Sequence, residues 1–348
     1  MFTHLHLHTE YSLIDGLSNI SQLIKRAKEL GMSSLAITDH GNVHGIVEFY
    51  TRCKEAGIKP IIGCEVYVAI NSRHVKDVSE KSPYHLTVIC KNNFGYKNLL
   101  QLITKANIEG FYYKPRIDKE LLEEHKEGLI ILSGCPQGDI PRLLIDGNYE
   151  EAKTAVTWFQ KTFDDFYLEI QRHEGIPQLE PLNTGLIKLN QELGVPLVAT
   201  NDLHYVCKED SYAHDVLLCI RTNTTVQTEQ RLKMSDNSYY LKSAEEMKEL
   251  FSDLPDALDA SSTIADMCDV SLDFSSLHLP EYPISTTETA QQYLETLAYR
   301  GLNERYVNPT DQAVERLRYE LEVIEKTQFA NYFLVVWDIA SYAAKQDI

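Results

Sequence analysis

Between Phe2 and Ala199 short apolar runs alternate with amphipathic stretches, the pattern of successive strand and helix units. The first helix is legible in SNISQLIKRAKELG, where Ile20, Leu23, Ile24, Ala27 and Leu30 recur at helical spacing. Ser18 is placed to cap it and Gly31 to stop it. The strand run SLAIT follows at once. The same alternation predicts strands at KPIIG, LTVIC, GLIILS, FYLEI and VPLVAT, with helices near 96–106, 150–163 and 182–193.

The polar residues fall at one kind of place. Asp39 and His40 follow SLAIT, Glu65 follows KPIIG, Cys135 follows GLIILS, and Asp202 and His204 follow VPLVAT. In a closed parallel β/α barrel that rim carries the site, because loops from many strands converge there above a packed sheet. An open doubly wound sheet also binds ligands at strand C-termini, so placement alone leaves both topologies standing. The barrel is the expected fold. Past about Ser275 the texture changes to a proline-bearing polar stretch, HLPEYPISTTET, and then to helical patterns near 289–306 and 311–326.

Composition narrows the chemistry. A chain of 348 residues with 43% hydrophobic and 24% charged positions is in the globular range. No apolar run approaches the roughly 20 residues that span a bilayer, and the start lacks a signal peptide's basic and apolar regions, so a cytoplasmic protein without a membrane partner is expected. Seven cysteines without a CxxC pair fit neither a disulfide framework nor a zinc finger. A formal charge of -18 repels a phosphate backbone, so any nucleic-acid role needs local positive charge, which bound divalent cations can supply.

The segment HLHLHTEYSLIDG would place His4, His6 and His8 on one strand face, with Leu5 and Leu7 on the other. A lone histidine is more often structural than a ligand, but three on one face are costly to bury without a metal or several hydrogen bonds. In TDHGNVHG, Asp39 could cap a helix and His40 could be a surface residue. Glu65 in GCEVYV is a carboxylate inside an apolar strand and needs a partner, for which a cation is one choice. Asp202 and His204 in ATNDLHYV again lie two residues apart. Together these make a mixed N, O and S donor set. Imidazole and thiolate suit zinc, the carboxylates admit manganese or iron, and clustered divalent ions are a device for phosphoester hydrolysis.

HLHLHTEYSLIDG, LAITDHGN, KPIIGCEVYV, LSGC and VATNDLHY resemble the PHP (polymerase and histidinol phosphatase) domain of bacterial DNA polymerase III alpha subunits. GFYYKPRIDKELL, FYLEIQRH, SYAHDVLLCIRT, YYLKSAEEM and FANYFLVVWDIASYAAKQ resemble further segments of that subunit, the last its entry into the polymerase palm. The resemblance implies an α/β fold, a distorted (β/α)7 barrel over 1–275, then a linker and a mostly helical start of the palm over 276–348. It implies nine ligands for three divalent ions, zinc foremost, with manganese or iron at some sites. These are His6, His8, Asp15, His40, Glu65, His85, Cys135, Asp202 and His204. One ion would be held by His6, His8, Glu65 and Asp202, a second by Glu65, His85 and Cys135, and a third by Asp15, His40 and His204. His85 precedes its strand, so spacing would not have selected it. His4 and Asp39 would stand behind the ligands. Lys114, Arg116 and Arg172 are candidates to grip phosphate, with surface ion pairing as their bland alternative.

The implied function is the N-terminal part of a replicative DNA-directed DNA polymerase, with polymerase carboxylates further along the parent chain. Its PHP domain would hydrolyse phosphodiesters as a 3′→5′ exonuclease, using water activated by the metals and no separate protein base. Hydrolysis of pyrophosphate or a small phosphate ester is one alternative, and a metal-stabilised scaffold that docks a separate exonuclease is another. Implied partners are a DNA primer 3′ end, the remaining polymerase domains, a proofreading exonuclease subunit and other replisome components.

Overall fold

The computed structural model describes residues 2–13, 15–234, 236–275, 279–285 and 287–348, which divide into two compact units, Met1–Leu272 and Asp273–Ile348. The first is built on seven strands. They are β1 (Ser34–Ile37), β2 (Lys59–Val68), β3 (Tyr84–Cys90), β4 (Arg116–Ile117), β5 (Leu129–Leu132), β6 (Asp165–Gln171) and β7 (Leu197–Thr200). They pair in the order β1-β2-β3-β5-β6-β7, with β4 attached to β2. β1 runs parallel to β2, and β5, β6 and β7 run parallel to one another. β3 is antiparallel to both β2 and β5, a departure from the wholly parallel barrel that the βα alternation predicts. A strand's burial pattern is blind to its direction, so nothing in LTVIC could have signalled the reversal.

The N-terminal segment closes the ring. Ala36 and Thr38 donate backbone N–H groups to the carbonyls of His4 and Leu7 (3.0 Å each), while His8 donates to Leu203 O and Leu203 to His6 O (2.8 and 3.2 Å). The segment thus lies between β1 and the chain leaving β7. It is not the regular strand predicted for HLHLH, because a bend at His6 interrupts the two-residue period. Leu5 joins Ala36, Ile61, Ile89, Ile130 and Val198 inside the barrel, whose floor is plugged by Ile264 and Ala265 of the helix Pro255–Met267. Leu7 instead packs with Leu35, Ile37 and Ile62 in the outer layer under the helices.

Helices cover that outer layer. Ile20–Glu29 buries Ile20, Leu23, Ile24 and Ala27, as its spacing predicts. Its cap is Asn19, whose side chain accepts the Gln22 N–H, not Ser18; Ser18 is buried, and its carbonyl accepts the Glu10 N–H. All seven cysteines are free, and six are buried. The second unit consists of helices Ala290–Arg305, Asp311–Thr327 and Ala330–Lys345. Among the described residues no helix is long and apolar enough to cross a membrane.

Candidate metal centre

The reversal of β3 explains the position of His85. In an antiparallel strand the N-terminal end lies at the rim where parallel neighbours end, so a residue at the start of β3 faces residues that follow β1, β5 and β7. There the structure gathers His6 and His8 from the closing segment, His40 after β1, Glu65 within β2, Cys135 after β5, and Asp202 and His204 after β7. Asp15 arrives on a tight turn, in which Asp15 N–H and Gly16 N–H both donate to Ser12 O (3.0 and 2.8 Å). After His40 the chain passes so close to Tyr67 that a Cβ on Gly41, at φ +58°, would stand 2.9 Å from the Tyr67 ring.

Four donors converge first. His6 Nε2 lies 3.2 Å from His8 Nε2, 3.5 Å from Glu65 Oε1 and 3.3 Å from Asp202 Oδ1. His8 Nε2 lies 3.4 Å from Glu65 Oε2 and 3.3 Å from Asp202 Oδ1. A tetrahedron with ligand bonds of about 2.1 Å has edges of about 3.4 Å, so the spacing of His6, His8 and Asp202 fits one face of a zinc-sized site, while Glu65 meets the two imidazoles through different oxygens. A second group shares Glu65: its Oε1 lies 2.9 Å from His85 Nδ1 and 3.4 Å from Cys135 Sγ, which is 3.6 Å from His85 Nδ1. In a third, His40 Nε2 is 3.4 Å from Asp15 Oδ1, and His8, His40 and His204 each offer an atom within 4.8 Å of the others.

The donor set fits cations by its unmet needs as well. Asp15 Oδ1, His40 Nδ1, Glu65 Oε2 and Asp202 Oδ1 are buried and make no hydrogen bond, although His40 Nδ1 and Glu65 Oε2 are 2.5 Å apart. Buried polar atoms are seldom left so, because each forfeits its hydration. Charge follows the same logic. Burial opposes ionisation of Asp15, Glu65 and Asp202, yet the surrounding histidines hold all three below the ordinary carboxylate range. Burial likewise opposes protonation of His40, but Glu65 and Asp15 raise it to about 10. His6 rises well above its usual value against its burial, through Glu169, Asp202 and Glu65. His8, buried between His40 and His204 at ring separations of 4.0 and 4.5 Å, is pushed down to about 3 and stays neutral, as a ligand must. Burial, then Glu65, raises the Cys135 thiol.

Supporting contacts fix these groups. His6 Nδ1 faces Glu169 Oε1 at 2.6 Å, and Glu169 also accepts from Thr200 Oγ1 (2.6 Å), Gln171 Nε2 (3.0 Å) and Thr87 Oγ1 (3.1 Å). Asp39 caps no helix. It accepts from Thr9 N–H, Thr9 O–H and Ser12 O–H at 2.7 Å each, and Ser12 Oγ lies 3.1 Å from His8 Nδ1. His4 does not share the face of His6 and His8; its Nε2 meets Lys242 O at 2.9 Å. Asn201, beside Asp202, donates to Ser238 O and Tyr240 O (2.9 Å each) and accepts from Lys242 Nζ (2.7 Å).

Of the candidate phosphate cations, only Lys114 reaches the cluster, through Tyr67, whose hydroxyl its Nζ meets at 3.3 Å. Arg116 is fully buried: its Nε donates to Gly110 O (3.0 Å), Nη1 to Glu80 (3.2 Å) and Nη2 to Arg73 O and Val75 O (3.1 and 2.9 Å). It has no surface to offer a ligand. Arg172 is spent on Asp253 (2.6 and 2.8 Å) and Leu250 O (2.6 Å). Glu169 and Arg221 went unselected. Glu169 is a carboxylate in the apolar run FYLEI and carries the same signal as Glu65. Arg221 meets Asp15 Oδ2 at 3.1 Å from 206 positions away, a juxtaposition no local pattern encodes.

Residues 4–173 match the PHP domain family, and residues 292–348 match the family described as bacterial DNA polymerase III alpha NTPase domain. Over its whole length the chain is 49% identical to DNA polymerase III subunit alpha of Borreliella burgdorferi, 44% to that of Treponema pallidum and 41% to that of Helicobacter pylori. It covers 31%, 30% and 31% of those proteins, about a third of each.

Proposed function

This chain belongs to the family of bacterial DNA polymerase III alpha subunits, and on that premise we propose that its rim cluster binds three divalent metal ions and hydrolyses phosphodiesters, removing nucleotides from a DNA 3′ end. One observation carries the reading: buried atoms of Asp15, His40, Glu65 and Asp202 are aimed into a single cluster, where they meet only one another and the neighbouring histidines. His6, His8, Glu65 and Asp202 would hold one ion, Glu65, His85 and Cys135 a second, and Asp15, His40 and His204 a third. Zinc suits the imidazoles and the thiolate. Bound there, such ions polarise phosphoryl oxygens and lower the pKa of a coordinated water.

The chain's own residues prepare the site. The contact with Glu169 holds a proton on His6 Nδ1, so Nε2, which faces Glu65 and Asp202, is the atom at which a cation would take the place of a proton. Burial keeps His8 neutral. Cys135 must lose the proton that burial and Glu65 hold on its sulfur. Lys114, held at Tyr67, would donate to a phosphate oxygen of the substrate. In the longer parent, cytoplasmic and replicative, the hydrolytic site would act on the primer end beside the polymerase domains, alongside a proofreading exonuclease subunit and other replisome components.

Elemental analysis of the purified chain together with an assay on a single-stranded 3′ end tests this. Transition metal should be present, and His8→Ala or Asp202→Ala should abolish hydrolysis without unfolding the barrel, as followed by circular dichroism. Activity surviving both changes would exclude this site as its source. No hydrolysis by the unaltered chain with zinc, manganese or magnesium would leave a metal-stabilised scaffold.

A further inference from the structure

Two cations stand at the mouth of the cluster, and the ligand set uses neither. Lys114 Nζ lies 3.3 Å from Tyr67 Oη and 5.0 Å from the centre of its ring, and among the described residues it pairs with no carboxylate. Arg221, in the last turn of the helix Ser211–Thr222, reaches Asp15 Oδ2 at 3.1 Å and keeps a third of its side chain exposed. Tyr67 links Lys114 to the site, its ring stacked on His40 at 5.9 Å and edge-on to His85 at 5.1 Å, while Asp15, 3.4 Å from His40, links Arg221. Each cation thus stands one side chain out from His40, Lys114 behind Tyr67 and Arg221 behind Asp15, on the solvent side of the cluster.

The cluster does not need these cations for the phosphate it would hydrolyse. Bound divalent ions would take the oxygens of that phosphate themselves. Lys114 and Arg221 add a surplus on a chain whose formal charge is -18. Lys114 also stands one tyrosine side chain out from the imidazoles, as a strand's next phosphate stands one sugar out from the scissile one.

Resting on the phosphodiesterase reading, we propose that Lys114 and Arg221 clamp a second phosphate, that of the linkage beside the one cleaved. The site would then select an oligonucleotide end over substrates with a single phosphate ester. Guanidinium and ammonium both suit a phosphate oxygen, and the exposed Arg221 can keep one N–H on Asp15 while presenting others.

The test uses the metal-loaded chain and three substrates: a single-stranded oligonucleotide, the same strand with a neutral methylphosphonate next to the scissile linkage, and bis(p-nitrophenyl) phosphate. The methylphosphonate should lower kcat/KM of the unaltered chain roughly tenfold, mainly through KM, as loss of a charge-assisted contact does. A Lys114→Met, Arg221→Met double variant should treat the two strands alike, whereas Arg221→Lys alone should keep part of the discrimination. Comparing substrates within each variant cancels any effect of losing the Arg221 contact to Asp15. Lys25→Met, on an exposed helix face, controls for a change in net charge and should discriminate as the unaltered chain does. Equal rates on both strands by the unaltered chain, or undiminished discrimination by the double variant, overturn the clamp while the phosphodiesterase reading stands. Hydrolysis of bis(p-nitrophenyl) phosphate but of neither strand overturns the clamp and the 3′-end reading, and leaves a phosphodiesterase with another substrate. Failure on all three substrates sinks both.

Discussion

Replacing Glu169 by Gln probes how far the cluster depends on a residue that touches no ion. The carboxylate is fully buried and surrounded by donors: His6 Nδ1 at 2.6 Å, Thr200 Oγ1 at 2.6 Å, Gln171 Nε2 at 3.0 Å and Thr87 Oγ1 at 3.1 Å. Glutamine keeps the volume but has one acceptor oxygen and an NH2 group in place of the second. If the amide oxygen stays on His6, Thr87 must turn its hydroxyl from donor to acceptor and the imidazole loses its charged partner. If the NH2 turns to His6, the ring proton must move to Nε2, the atom that faces Glu65 and Asp202. Either outcome weakens the first ion's site. Loss of such supporting contacts costs about 10- to 100-fold in metal affinity, or about 1.4–2.7 kcal/mol. Competition with a chromophoric chelator would read the affinity directly. At a fixed free-metal concentration that saturates both proteins, linkage should carry the same 1.4–2.7 kcal/mol or so into unfolding free energy. An unchanged affinity at the tightest site, with the variant folded, would refute the reasoning.

Other outcomes follow from the same geometry. Glu65→Gln removes the charge shared between two ion sites, so bound metal should fall by more than one equivalent, whereas His40→Ala should empty mainly the third; equal losses by elemental analysis would break the proposed grouping. Arg116→Met should destabilise the fold by about 3–5 kcal/mol in urea, because Glu80 is left buried without its cation, and it should not selectively raise KM. His4, lowered by burial from 6.5 to about 4, stays neutral while the unfolded chain takes up a proton, so its contribution is present above pH 6.5 and is lost as pH falls toward 4. His4→Gln should flatten the stability profile over that window by the equivalent of one proton, and an unchanged slope between pH 4 and 6.5 would count against it.

The rim positions were legible because a strand announces its end by the switch from apolar to polar residues, and a parallel sheet brings such ends together. That rule reached His40, Cys135, Asp202 and His204 without knowledge of the fold; Glu65 was legible only as a carboxylate in an apolar run, because β2 does not end at Gly63 but continues to Val68. The rule could not reach His85, since the residues of β3 do not record that the strand runs backwards. Nor could it separate His4 from His6 and His8, because the bend at His6 answers to hydrogen bonds with β1 and with Leu203. Arg116 looked like a phosphate ligand because charge is normally exposed; what buries it is the 73–80 loop, whose carbonyls and Glu80 close over the guanidinium.

Glu65 shows how backbone architecture makes one carboxylate serve several partners. β1 ends at Ile37, opposite Ile62, but β2 runs on to Val68 and from Gly63 pairs instead with the reversed β3. The chain leaving β1 still follows for a few residues, with His40 bridged to Glu65 and Gly41 N–H donating to Glu65 O (2.8 Å). Glu65 therefore sits where β2 has lost β1 as a regular neighbour and has gained β3, held on one side by the His40 turn and on the other by Thr87. Its two oxygens face opposite groups, Oε1 toward His6, His85 and Cys135, and Oε2 toward His8 and His40. A shorter β2 would end below the rim, and a parallel β3 would carry His85 to the far end of the sheet. The length of one strand and the direction of its neighbour thus decide whether these donors can meet.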